Sequence, residues 1–338
     1  MYYLPNIRIM DYNKYVTIGV PIYNVEKFIE RCAIALFEQS YKYIKYIFVD
    51  DCGTDNSISR LNSIIERYPE RQKMVRIIKH EKNRGLSAAR NTIVSNCDTE
   101  YLLHVDSDDY LDTSAIELCV SKLNEANYDI VFFSNVVLWA NYKEILSIPC
   151  INNPRDLLKS LLTKNYRITV WGALIKTELY KVHGISAKEG VNMGEDLQVM
   201  PLLLYYSKIV TSINAPLYYY DRTNESAYTA TFSIPKSEQT WQSMLILEKQ
   251  IADDEVLSWV NFLKLNTLIA MAKMNCLAKN GDVEYYKGTL MGRIDSIDNK
   301  YKKQLSKSNR LIVSLRNRRL IRTYLRCIRQ IRKINEKH

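Results

Sequence analysis

Glycine and proline are scarce in this chain, ten and eight residues in 338, which excludes a collagenous or low-complexity polymer. No segment repeats at solenoid or propeller periods. The seven cysteines, Cys32, Cys52, Cys97, Cys119, Cys150, Cys276 and Cys327, are odd in number and form no CxxC pair. A zinc clamp or redox couple is therefore not expected, and they read as reduced, mostly core thiols. The four histidines have no metal-ligand spacing, and His104, in the middle of an apolar run, reads as a core residue. No apolar run approaches the ~18 to 20 residues that span a bilayer. The opening MYYLPNIRIMDYNKY has no basic stretch leading into an apolar one, so the expected location is cytoplasmic. What remains, 47% hydrophobic and 25% charged residues, is the composition of a folded globular protein.

The net charge of +10 is unevenly distributed. Thirteen Lys or Arg and one acid lie between Lys302 and His338, so the body before them is slightly acidic. In RLIVSLRNRRLIRTYLRCIRQIRKI, Leu311, Leu315, Ile321, Leu325, Ile328 and Ile331 can share one side of a helix, with arginines covering the rest. Such a basic amphipathic segment, 307–335, either meets an anionic membrane surface from the cytoplasmic side or packs its apolar side on neighbouring helices. Nucleic acid is not an expected partner, because the body carries no recognised nucleic-acid module.

Residues 15 to 140 alternate β-branched and aromatic runs with amphipathic stretches, predicting a doubly wound, mostly parallel α/β sheet. VTIGVPI, YIKYIFVDD, MVRIIKH, YLLHVDSDD and DIVFFSNVV are the expected strands. Phe28, Cys32 and Leu36, then Ile58, Leu61, Ile65 and Tyr68, fall at helical spacing between them. Ligands of such sheets bind beyond the carboxyl ends of the strands. Tyr23, Asn24, Asp50, Asp51, Asp106, Asp108 and Asp109 are expected there. From about 236 onward the pattern is helical, giving an expected division into an extension (1–14), a catalytic-type domain (15–235) and a helical region (236–338).

Asp106-Ser107-Asp108 offers hard oxygen ligands of the kind that hold Mg²⁺ or Mn²⁺ with a substrate phosphate. Taken alone, an acid cluster ahead of a helix also reads as a cap. Beside it stand PIYNVEKFI (21–29), VDDCGTDNS (49–57), NRGLSAARN (83–91), VDSDDYL (105–111) and a Gly-Glu-Asp at 194–196. In this order and spacing the motifs resemble the family 2 glycosyltransferases over roughly residues 14–230.

The resemblance implies the nucleotide-diphosphosugar transferase fold called GT-A and inverting transfer from a nucleoside diphosphate sugar, with uridine the usual base. The implied acceptor is a hydroxyl of a glycan or lipid-linked glycan in surface polysaccharide synthesis. Pro21, Tyr23, Asn24 and Glu26 match its nucleotide loop, Asp51 its base-reading acid with Asp50 in support, and Gly85 and Arg90 its ribose and diphosphate segment. Cys52-Gly53 replaces the usual Gly-Ser. Asp108 matches the direct ligand of a divalent metal (Mn²⁺ or Mg²⁺), with Asp106 between ribose and metal. Asp196 matches the general base, with Glu195 the alternative. Trp171 and Gly172 match an acceptor-bordering segment, and Arg222 a basic position that meets the diphosphate. Two rival functions are a sugar nucleotidyltransferase, whose Gly-rich basic first loop PIYNVEKF lacks, and a non-catalytic nucleotide-sugar-binding module of the same fold.

Overall fold

The computed structural model describes residues 14–148, 152–164, 169–224, 232–278 and 281–335. The extension expected at 1–14 and Cys150 therefore lie almost wholly outside the described residues. Two compact units are distinguished, Met1–Leu158 with Ile168–Ser226, and Lys159–Arg167 with Ala227–His338.

The first unit runs β1 (Val16–Ile22), α1 (Ile29–Phe37), β2 (Ile44–Asp50), α2 (Ser57–Ile65), α3 (Pro69–Gln72), β3 (Val75–Lys79), α4 (Leu86–Asn96), β4 (Tyr101–His104) and β5 (Tyr110–Leu111). The chain continues through α5 (Ala115–Leu123), β6 (Ile130–Leu138), β7 (Lys143–Leu146), α6 (Pro154–Lys164), which belongs to the second unit from Lys159 on, β8 (Ala173–Lys176), α7 (Thr177–Val182), α8 (Glu195–Tyr206) and β9 (Val210–Asp221). The strands form one sheet in the order β3-β2-β1-β4-β8-β6-β9-β5, with β7 paired to β6. The β3-β2-β1-β4 half is parallel, as the alternating pattern predicts. Beyond it β8 runs antiparallel to both β4 and β6, and β6 and β9 are parallel to each other.

All seven residues of β1 are buried, as expected of a strand with helices on both faces. Val16, Ile18, Val20 and Ile22 join one core with Ile29, Cys32 and Leu36 of α1 and Leu61 of α2. On the opposite face α4 comes so near that a Cβ on Gly19 would collide with the Ile93 side chain. Gly19→Ala is accordingly expected to cost about 1–3 kcal/mol by overpacking, seen as a lower urea midpoint at unchanged slope. Parallel pairing also brings the carboxyl ends of β1, β2 and β4 to one edge, where the loops 23–28, 51–56 and 105–109 begin.

The second unit is helical: α9 (Ile234–Gln250), α10 (Asp254–Leu277), a π-helical turn (Tyr285–Leu290), α11 (Met291–Ser296), α12 (Asn299–Lys302), α13 (Lys307–Leu315) and α14 (Arg318–Asn335). Ser233 and Asp253 cap α9 and α10 by accepting from Lys236 N and Val256 N. The basic tail, read from sequence as one continuous helix, is two. Arg316 adopts φ 48° between them and its guanidinium pairs with Asp295. Ile312 and Ile321 are fully buried, and Arg318 Nη2 donates to the Asn275 carbonyl at the end of α10. Of the apolar residues marked from sequence, Ile321 is buried, Leu315, Leu325 and Ile328 are half-buried and Leu311 is exposed, as are Arg319, Leu320 and Arg326.

Candidate active site

The first two loops are stitched to each other. Asn24, at φ 52°, accepts from Thr54 N through Oδ1 (2.8 Å), and Glu26 Oε2 accepts from Asn56 N (3.1 Å). Asp55 returns the contact by accepting from Glu26 N (2.8 Å). Asn24 and Glu26, matched from sequence to a nucleotide loop, here fix the shape of that loop through their side chains. Tyr23 is exposed, whereas Pro21 lies buried inside β1. Cys52 takes φ 63°, a left-handed conformation that glycine adopts freely. The departure from Gly-Ser therefore places a side chain where the backbone favours none.

Asp51 is only 3% exposed, and its carboxylate is held by three donors: His80 Nδ1 (2.7 Å), Arg84 N (2.8 Å) and Gly85 N (2.8 Å). Thr92 Oγ1 fixes the far side of the His80 ring at 2.9 Å. A carboxylate offers about four acceptor positions, so one remains for a further N–H. Asp50 Oδ1 accepts from Cys52 N (3.0 Å) and shapes the turn. Gly85 has φ 85°, and any Cβ there would strike the Asn192 amide, which accepts from Ser87 N. Both conformation and space demand glycine at the start of α4.

Arg90, one turn into α4, is buried and faces inward. Its Nη1 donates to Glu195 Oε1 (2.6 Å) and Asp196 Oδ1 (3.0 Å), and its Nη2 to Asp106 Oδ1 (2.7 Å). Sequence resemblance sets Arg90 against ribose and diphosphate. In the structure its Nη atoms are engaged by carboxylates, because a buried cation requires paired charge. This hub joins three of the acids singled out from sequence. Asp196 Oδ1 also accepts from Val170 N (3.1 Å), and its side chain, 17% exposed against 10% for Glu195, is the more accessible of the two. Burial and then the charge of Glu195 push Asp196 up to about 8, with Arg90 opposing. Burial likewise raises Glu195.

In the 105–109 loop, Asp108 Oδ2 accepts from Asn224 Nδ2 (2.8 Å) and the Asp108 carbonyl from Arg31 Nη2 (2.7 Å). Burial and then Asp106 raise Asp108 to about 6. Asp109 is fully buried, accepting from the Tyr218 hydroxyl (2.7 Å) and Asp221 N (2.7 Å), while that hydroxyl accepts from Asp106 N (3.1 Å). Tyr218 and Asp109 thus set the course of the loop. Sequence reading passed over Tyr218, Asn224, His80 and Asn192.

Trp171 is 6% exposed, stacked on Tyr218 at 4.5 Å and Tyr220 at 5.2 Å, so it supports the site from the core. Gly172 follows it at φ 79°. Arg222 is directed over the Trp139 ring at 4.7 Å and does not join the acid cluster. Among the described residues no three His, Cys, Asp or Glu side chains converge as a self-sufficient metal centre. The carboxylate oxygens of Asp106 and Asp108 are of the type that suits a hard divalent cation.

Residues 17–144 match the family described as Glycosyl transferase family 2. The chain is similar to glycosyltransferase GlyA of Streptococcus pneumoniae, 28% identical over 61% of this chain and 30% of that protein. It is also similar to the uncharacterized glycosyltransferase EpsJ of Bacillus subtilis, 29% identical over 63% of this chain and 62% of EpsJ. It thus spans less than two thirds of either relative. The solved structure of S. aureus TarS 1–349 in complex with UDP shares the fold, with TM-score 0.69 and 18% identity over 94% of this chain and 91% of that one. The same fragment is solved with UDP-GlcNAc. The fold is therefore GT-A followed by a helical region, and the chain carries a family 2 glycosyltransferase domain.

Proposed function

We propose that this domain transfers a sugar, with inversion, from a nucleoside diphosphate sugar to a hydroxyl of a glycan or lipid-linked glycan in surface polysaccharide synthesis. The observation that carries the reading is the Arg90 hub, which ties Asp106 of the donor-side loop to Glu195 and Asp196 at the start of α8. One rigid group thereby couples the acid that faces a diphosphate to the acids that face an acceptor. The UDP and UDP-GlcNAc complexes of TarS support uridine as the base.

In this reading the unused acceptor position of Asp51 meets a base N–H, and the Gly85 backbone admits the donor closely. Asp196 takes the proton of the attacking hydroxyl as the oxocarbenium-like centre opens on the opposite face. Glu195, drawn more tightly to Arg90, steadies that geometry. Asp106 and Asp108 are the residues that would hold Mn²⁺ or Mg²⁺, which supplies charge neutralisation on the departing nucleoside diphosphate. The exposed Arg319 and Arg326 side of α14 adds attraction to an anionic membrane surface, checked by salt-sensitive sedimentation with acidic vesicles.

A thermal-shift screen of nucleoside diphosphates and their sugars tests donor class and metal together. A ligand at about 100 times its dissociation constant stabilises by about 2.7 kcal/mol. UDP with Mn²⁺ is expected to stabilise the protein, with the effect lost on EDTA or in Asp108→Ala. If no nucleotide stabilises it under any cation, the transferase reading fails in favour of a module that has lost its donor.

A further inference from the structure

Behind the acid cluster, Arg90, His104, Tyr180, Glu195 and Asp196 line a cavity of ≈ 20 Å³. Three buried polar atoms of these residues have no hydrogen-bond partner: Arg90 Nε, His104 Nδ1 and Tyr180 Oη. The His104 and Tyr180 rings meet edge to face at 6.1 Å, and the charge of Arg90 acts on both groups. Three unpaired buried polar groups at one place are uncommon, because each loses its hydration without compensation.

Volume and chemistry narrow the occupant. A water needs about 10–15 Å³ and two to four polar partners, and both conditions are met. A cation is opposed by the guanidinium, and an organic ligand exceeds the space. We infer that one ordered water occupies this cavity, accepting from Arg90 Nε and Tyr180 Oη and donating to His104 Nδ1, which makes His104 and Tyr180 positioning residues for Arg90. The Nη atoms of Arg90 hold the three carboxylates, so fixing Nε sets the rotation of the guanidinium plane and with it the placement of Glu195 and Asp196.

The catalytic consequence rests on Asp196 being the base, but the water site does not. A wild-type crystal structure at about 1.5 Å should show a single peak within the ~2.7–3.2 Å hydrogen-bond range of all three atoms. A dry cavity overturns the inference, and that result reads the same whether or not sugar is transferred. In Tyr180→Phe, which removes only the hydroxyl, kcat is expected to fall on the order of tenfold with the donor dissociation constant unchanged. A purely structural role would instead lower the folded fraction and leave kcat per active site intact, which would overturn the positioning role. Should that variant not fold, His104→Gln and His104→Phe decide. Gln, which keeps an acceptor, is expected to retain most of the turnover that Phe loses, and equal loss in both overturns the positioning role.

Discussion

Asp196→Asn is expected to reduce turnover by about 10²–10⁴-fold, the contribution typical of a positioned general base, while leaving donor affinity unchanged. Asn is isosteric and can still accept from Arg90 Nη1 and Val170 N, so the loss would belong to the proton and not to the architecture. Isothermal titration with UDP beside single-turnover transfer separates the two. Glu195→Gln is the control. A larger loss in Glu195→Gln than in Asp196→Asn would exchange their roles. The wild-type pH profile carries the same signature. Burial and Glu195 hold Asp196 up to about 8, and a base works only when deprotonated. In donor kcat/KM, activity should rise with pH, about tenfold per unit well below that value, and level off above it. A profile already flat from pH 6 upward would count against Asp196 as the base.

Arg90→Met removes the counter-charge from three carboxylates at once. Breaking a buried ion pair by deleting one partner typically costs about 3–5 kcal/mol, and here Asp106, Glu195 and Asp196 all lose a donor. The loss should depend on pH with a definite sign. Without Arg90, the carboxylates of Glu195 and Asp196, already raised by burial, rise further above their unfolded values, so folding takes up protons. The variant's deficit is then smallest in acid and grows as pH rises through the raised values. Urea midpoints at pH 5 and pH 8 read this directly, and a deficit independent of pH would mean that the acids are not ionised together in the wild type.

The parallel half of the fold was legible because its strands are short β-branched runs separated by helices with clear apolar faces, as at Phe28, Cys32 and Leu36. The β8 and β6–β7 pairings were not, since an antiparallel insertion leaves no periodic mark distinct from its neighbours. Acids were visible after strands as Asp51, Asp106 and Asp108, and at a helix start as Asp196. Their partners were not, because Arg90 lies 105 residues from Glu195 and Asp109 lies 109 from Tyr218. Arg90 was matched to the ribose and diphosphate segment, and its bonds to the acids appear only once the fold brings them together. The tail was read correctly as basic and amphipathic, but periodicity carried it across Arg316, where one left-handed residue ends the helix.

Those long separations bear on the order in which the molecule forms. A chain emerging from the ribosome completes β1 to β4 and α4 before residue 195 exists, and at that stage Arg90 has Asp106 alone among its three acids. Closing so distant a contact demands loop entropy before any reward. The early sheet must therefore wait, with a guanidinium in its helix layer, for α8 to arrive and neutralise it. The same residues that assemble the site would then act late in folding, and fragments ending short of Glu195 should be held open and readily cut by proteases.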